Sequence, residues 1–197
     1  MKGKMTPVLV LGMVLLLAAL GVGIYSGVQS YLGREKSQEI LLELNGFLPP
    51  KTQGVPELYT NSTMPVLELH GTDYVAVVEV PTFGVELPVG DSWEEKKLSE
   101  TPARFWGSAY DHTLVIGGAD TSGQFEFCDQ IEHGASVMIT DMTGAQFHYT
   151  VSRIDRGSHA DSQWLTEEQW DLTLFCHDSY AMEYVAVRCL FSGNLPE

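Results

Sequence analysis

Basic side chains are scarce in this 197-residue chain: 11 Lys and Arg stand against 26 Asp and Glu, a formal net charge of −15. Such a balance excludes nucleic acid as a partner, because a phosphate backbone demands a basic face. It also argues against electrostatic adhesion to an anionic lipid or wall surface. Cysteine is scarce too. The three present, Cys128, Cys176 and Cys189, form an odd set, so at least one thiol is free or pairs with another chain, and no disulfide framework is encoded. The six histidines show no HExxH or related spacing, and no loop carries a calcium-ligand pattern. No metal and no other cofactor is therefore expected. Neither an internal repeat nor a low-complexity segment is present.

Long apolar runs are absent with one exception. Pro7 to Val28 is almost wholly apolar, and about 20 such residues span a bilayer as a helix. Lys2 and Lys4 precede it, and no acidic residue occurs before Glu35. Basic flanks stay on the cytoplasmic side, so the expectation is a single-pass protein of the cell membrane with a cytoplasmic N-terminus and an extracellular remainder. The alternative is a cleaved signal peptide with Ala18-Ala19 near the cleavage site, although the apolar run continues through Ile24 and Tyr25. Beyond the run, 26 acidic residues face nine basic ones, a net of −17 for the exported part, which suits solubility in an exposed compartment.

Residues 1–33 thus read as a cytoplasmic tip and signal anchor, and 34–66 as a juxtamembrane helix and linker. Ile40, Leu41 and Leu44 fall at helical spacing. Residues 46–65 are rich in Pro, Gly, Asn, Ser and Thr, and Asn61-Ser62-Thr63 matches a glycosylation sequon by pattern only. From residue 67 the texture becomes a series of short β-type runs, at 74–80, 85–89, 113–118, 135–141, 145–154, 171–176 and 183–191. Asp141-Met142-Thr143-Gly144 reads as a hairpin turn, and 124–131 and 162–169 as short helices. Many short strands with few helices predict an all-β domain over 67–197, a closed barrel preceded by one transmembrane helix. Trp93, Trp106, Trp164 and Trp170 fall in loops and short helices, where they either pack the rim of a small barrel or line a peptide- or glycan-binding groove.

Four segments, in order and spacing, resemble the sortase family, closest to its class B and D types. These are Val80 to Val89, Leu114 to Asp120, Gly123-Gln124-Phe125 with Gly134 and the strand after it, and Leu172 to Cys176 followed by Glu183 to Leu190. The resemblance implies a barrel of eight strands outside a Gram-positive-type membrane. It also implies cysteine transpeptidation of cell-wall sorting signals, with a histidine as acid and base and an arginine on the oxyanion. Only Cys176 carries over, as the nucleophile. Ala119 stands at the histidine position and Glu183 at the arginine position. Asp120 and His177 are the remaining neighbours. An acid beside a thiol raises its pKa, and His177, next in a strand, points to the opposite face unless the strand stops at Cys176. His112 lies at the far end of the strand that leads to Ala119, and Arg188 faces away from Glu183. With Glu183 taken opposite Cys176, Cys189 lies too far along for a Cys176–Cys189 disulfide. A metal held by His177, Asp120 and Cys176 is a minor alternative.

Whether the chain is an enzyme is left open by these residues. One expectation is a transpeptidase acting through Cys176 and impaired by Ala119 and Glu183. The other is a non-catalytic module that binds the sorting-signal peptide of surface proteins, or partners an active sortase or pilin. Redox sensing by Cys176 is a third.

Overall fold

The computed structural model describes residues 7–53, 63–158, 161–167, 169–178 and 181–192. Asn61 and Ser62 of the sequon lie outside them.

The apolar N-terminal run and the juxtamembrane segment form one continuous helix, α1 (Pro7–Phe47). Its first half leaves its described apolar side chains exposed, Leu11 and Ile24 among them. Its second half docks: Gly33, Ser37, Leu41 and Leu44 are buried at the i, i+4, i+8, i+11 spacing of one helical face. Gly33 is needed there because a Cβ would strike the carbonyl oxygen of Ser99. Leu44 joins Leu69 and Tyr74 in a satellite core, and the Arg34 guanidinium donates to Ser122 Oγ at 2.6 Å. Among the described residues no helix is long and apolar enough to cross a membrane. The expected membrane span is therefore not found among the described residues.

Ten strands follow among the described residues: β1 (Thr52–Gln53), β2 (Leu67–Leu69), β3 (Thr72–Val80), β4 (Val85–Gly90), β5 (Ala103–Trp106), β6 (Leu114–Gly117), β7 (Ser136–Asp141), β8 (Ala145–Gly157), β9 (Leu172–Asp178) and β10 (Glu183–Phe191). The sheet runs β8-β10-β9-β6-β5-β4-β3, and β7 pairs with both β3 and β8. That closes an eight-stranded barrel, as expected, with β1 and β2 as short additions. Closure removes the sheet edges that would otherwise invite pairing with other chains. The expected helices shrink to a 3-10 turn, Phe125–Asp129, and one helical turn, α2 (Ser162–Leu165).

Local chemistry fixes the corners. Gly84 takes φ 62° to end the Pro81–Phe83 turn between β3 and β4. Between β7 and β8, Asp141 Oδ1 accepts from the amides of Thr143 and Ala145 at 2.8 and 2.9 Å, and Gly144 donates to Asp141 O at 3.0 Å. Inside the barrel, Val78, Leu87, Ile116, Ile139, Phe147, Leu174, Val185 and Val187 form one core, in which each fully buried side chain contributes about 1.5–3 kcal/mol.

Candidate functional site

The parallel pair β6–β9 and the antiparallel pair β9–β10 place the expected site residues. Val185 lies opposite Cys176, Tyr184 opposite His177 and Glu183 opposite Asp178. The expected register is thus corrected by two residues. Glu183 is displaced from the cysteine's row toward the strand ends, and an apolar Val185 takes the place across from the thiol. Cys189 pairs with Leu172, four residues from Cys176 and about 13 Å along the strand, too far for a disulfide between them.

Strand alternation splits β9 into two faces. Leu172, Leu174 and Cys176 belong to the interior core, whereas Phe175 packs outside with Val115, Leu165 and Ala186. Cys176 is 1% exposed. Its side chain packs within the interior core. The strand continues to Asp178, so His177 stays on the outer face, where its ring meets Tyr184 edge-on at 4.8 Å. His112 sits at the opposite end of β6, against Phe191 at 4.7 Å.

Cys128, from the 3-10 turn, is buried in the same core as Cys176. Burial above all pushes the Cys128 thiol well above its ordinary pKa. Asp120, one residue after Ala119, meets Asp129 and Asp178 with carboxylate oxygens all within 4.8 Å of one another. Arg156, on β8 in the row of Val185 and Cys176, pairs with Asp129 at 2.9 Å and Asp178 at 3.8 Å. A divalent cation can bridge carboxylates at that spacing, but here the guanidinium already supplies positive charge. Sequence reasoning missed Arg156 because it comes from a strand not adjacent to β9. The trio His177, Asp120 and Cys176 is not assembled, since His177 and Cys176 occupy opposite faces.

The outer face carries a cleft of about 280 Å³ that Cys176 borders, lined by Trp93, Glu95, Leu98, Gly118, Phe175, His177 and Tyr184. Trp93 stacks on Phe175 at 5.4 Å and 23°, and Phe105 meets both rings edge-on at 5.3 and 5.5 Å. Gly117 makes this stack possible: a Cβ there would lie within 2.6 Å of both the Phe175 and the Trp93 ring. Ala119, half-buried, anchors the following loop through its carbonyl, which accepts from Thr121 and Phe125 at 2.9 and 3.0 Å.

Beyond the cleft, the same face holds Arg188, fully buried. It donates to Trp164 O at 2.6 Å, Leu165 O at 3.2 Å and Thr173 Oγ1 at 3.1 Å, pairs with Asp155 at 3.3 Å, and lies over the Trp164 ring at 4.9 Å. It faces away from Glu183, as expected, and clamps α2 to the sheet rather than reaching the thiol. Of the tryptophans, Trp93 lines the cleft, Trp164 packs on Arg188, Trp170 donates to Glu167, and Trp106 is exposed.

No family model matches the chain, and no curated protein matches it either. Solved structures do. Sortase A from Corynebacterium diphtheriae is 16% identical, with a TM-score of 0.54 over 91% of this chain and 98% of its own. Streptococcus pneumoniae Sortase C is 18% identical, with a TM-score of 0.55 over 86% of this chain and 90% of its own. A Clostridium perfringens Sortase D5 transpeptidase is 19% identical, with a TM-score of 0.53 over 61% of this chain and 80% of its own. The barrel, its eight-strand closure and these superpositions together give the chain a sortase-like fold.

Proposed function

We propose that this protein is a membrane-anchored, extracellular sortase-fold module that holds an extended peptide in its aromatic cleft and does not perform transpeptidation through Cys176. The observation that carries the reading is the inward, 1% exposed position of Cys176. A thioester cannot form on a sulfur that no scissile carbonyl reaches. Ala119 and Glu183 add to it, since loss of a general base and loss of oxyanion donors each cost on the order of 10² or more in rate. A phosphoryl ligand is poorly matched by the cleft, whose lining includes Glu95 and no lysine or arginine. Peptide side chains suit such a surface, because aromatic rings offer large apolar area at low conformational cost. Its chemical class is the sorting-signal peptide of a surface protein. The Streptococcus pneumoniae neighbour is described in terms of pilin substrate specificity, so a pilin tail is one source of that peptide.

The anchor is supported by the continuity of α1 and by the exposure of Leu11, Leu15, Leu16, Leu17 and Ile24, which the barrel does not cover. Docking of Leu41 and Leu44 then holds the barrel close above the membrane.

Fluorescent LPxTG-like peptides titrated against the full chain in detergent test the reading. Saturable binding that survives Cys176→Ala and is lost in Tyr184→Ala, with no cleavage, is expected. Cleavage at ordinary sortase rates that disappears in Cys176→Ala overturns it. Partition of the full chain into vesicles, resistant to alkaline carbonate, checks the anchor separately.

A further inference from the structure

Two walls of the aromatic cleft come from separate segments, the connection between β4 and β5 and the loop after β6. Trp93, Glu95 and Leu98 line the cleft from the first, and Gly118 lines it from the second. The second wall is closed on itself. The Ala119 carbonyl accepts from Thr121 and Phe125, and a Cβ on Gly118 would lie 2.6 Å from the Phe125 ring. Gln124, 2% exposed, joins the two walls by donating from Nε2 to the Ser99 carbonyl at 2.9 Å.

The docked half of α1 touches both walls through three neighbouring residues. On the first wall, Gly33 lies against the Ser99 carbonyl, where a Cβ would not fit, and Lys36 pairs with Glu100. On the second, Arg34 donates to Ser122 Oγ at 2.6 Å, and its guanidinium fills the space that a Cβ on Gly123 would need. The two ends of this docked half are held unequally. Leu41 and Leu44 bury apolar side chains, Leu44 in the core with Leu69 and Tyr74. Gly33 has no side chain to bury, and Ser37 buries a hydroxyl that has no hydrogen-bond partner among the described residues. An unpaired buried hydroxyl weakens docking, so the Gly33 end lifts more easily than the Leu44 end.

We propose that Gly33, Arg34 and Lys36 are positioning residues for the cleft: docking of this end of α1 holds the two walls at the spacing that grips a peptide, and lifting it loosens them. The inference rests on the peptide reading above for the ligand, and on the contacts alone for the walls. A peptide that fits the held walls favours the docked helix, and by linkage the docked helix favours the peptide. Occupancy of the cleft is thereby coupled to the helix that continues into the exposed apolar half of α1.

The test compares the full chain in detergent with Gly33→Val, whose side chain meets the Ser99 carbonyl. Hydrogen exchange read by mass spectrometry follows the amides of Glu100 and Thr101, bonded to Lys97 O at 2.8 and 3.1 Å, and those of Gln124 and Phe125, bonded to Thr121 O and Ala119 O at 2.9 and 3.0 Å. Exchange about tenfold faster over 93–101 and 119–125, with β8 and β10 unchanged, is expected, together with about tenfold weaker binding of a fluorescent LPxTG-like peptide. Lys36→Glu should speed exchange over 93–101 about threefold, the scale of an exposed ion pair, and adding Glu100→Lys should restore it. Walls that exchange at the wild-type rate in Gly33→Val overturn the proposal, as do faster walls with unchanged peptide affinity. If β8 and β10 also exchange faster, Gly33→Val has a folding defect and the charge-reversal pair decides: an effect that Glu100→Lys leaves uncorrected overturns the proposal. A wild type that binds no peptide defeats the peptide reading alone, because the exchange comparison needs no ligand and still decides whether α1 holds the walls.

Discussion

The two faces of β9 differ in what they can offer a ligand. The inner face presents Leu172, Leu174 and Cys176 to a dry core, and the outer face presents Thr173, Phe175 and His177 to a buried clamp and an open cleft. Adjacent residues on one strand thus have unrelated chemistry: Cys176 is buried in the core at the cleft's border, and its neighbour His177 lines the cleft from the outer face. A nucleophile is defined by its face as much as by its residue type. The position in β9 that resembles a catalytic cysteine is, in this barrel, a core position.

Perturbations of the outer face should break this contrast most strongly at Arg188. Arg188→Leu removes a buried guanidinium, strands two carbonyls and leaves Asp155 with Arg153 alone, at a cost of about 3 kcal/mol or more in chemical denaturation. Less drastic is Gly117→Ala, whose methyl displaces Trp93 and Phe175. A loss of about 1–3 kcal/mol is expected, with altered tryptophan emission and weaker peptide binding. Tyr184→Ala leaves the core intact and should weaken peptide affinity about tenfold, the scale of one lost aromatic contact, read by fluorescence anisotropy. On the inner face, Cys176→Ala under reducing conditions should lower stability by about 1 kcal/mol and change peptide affinity less than twofold. An equal loss of binding from Tyr184→Ala and Cys176→Ala would erase the distinction between the faces.

The smallest effect concerns pH. His148, on β8, is buried with no partner on Nε2, and burial lowers its pKa while Glu79 partly opposes the shift. With the folded value below the unfolded one, the unfolded chain binds the extra proton. Stability is then fully present above the ordinary histidine value of 6.5 and declines as pH falls through the window beneath it. His148→Gln should flatten that decline in urea midpoints measured between pH 7 and pH 5.

Much of the barrel was legible because its strands are short, β-branched and punctuated by turn residues. Val75 to Val80, Val137 to Asp141 and Glu183 to Phe191 carry their own evidence, and Asp141 with Gly144 names its turn. β5 was not legible: Ala103 to Trp106 has little β-branched character, and its pairing with β6 is what makes it a strand. The β9–β10 register was misplaced by two residues because it is set by cross-strand packing rather than by the sequence between them. Which face of β9 points inward was hidden for a related reason. Leu172 to Cys176 is apolar on both faces, since the outer one is also covered by α2 and Trp93. Ambiguous alternation cannot say which residues enter the core.

By itself, the sequence determined a closed barrel of short strands, the acidic balance, the helical N-terminal run and the lack of a histidine and arginine where the resemblance expects them. Those are properties of residue type and local spacing, which chain periodicity carries directly. Tertiary structure alone decided that Cys176 faces inward, that Arg156 gathers the aspartates, and that Arg188 serves as a clamp. Each depends on contacts between residues distant in sequence, which barrel closure sets and no local pattern encodes.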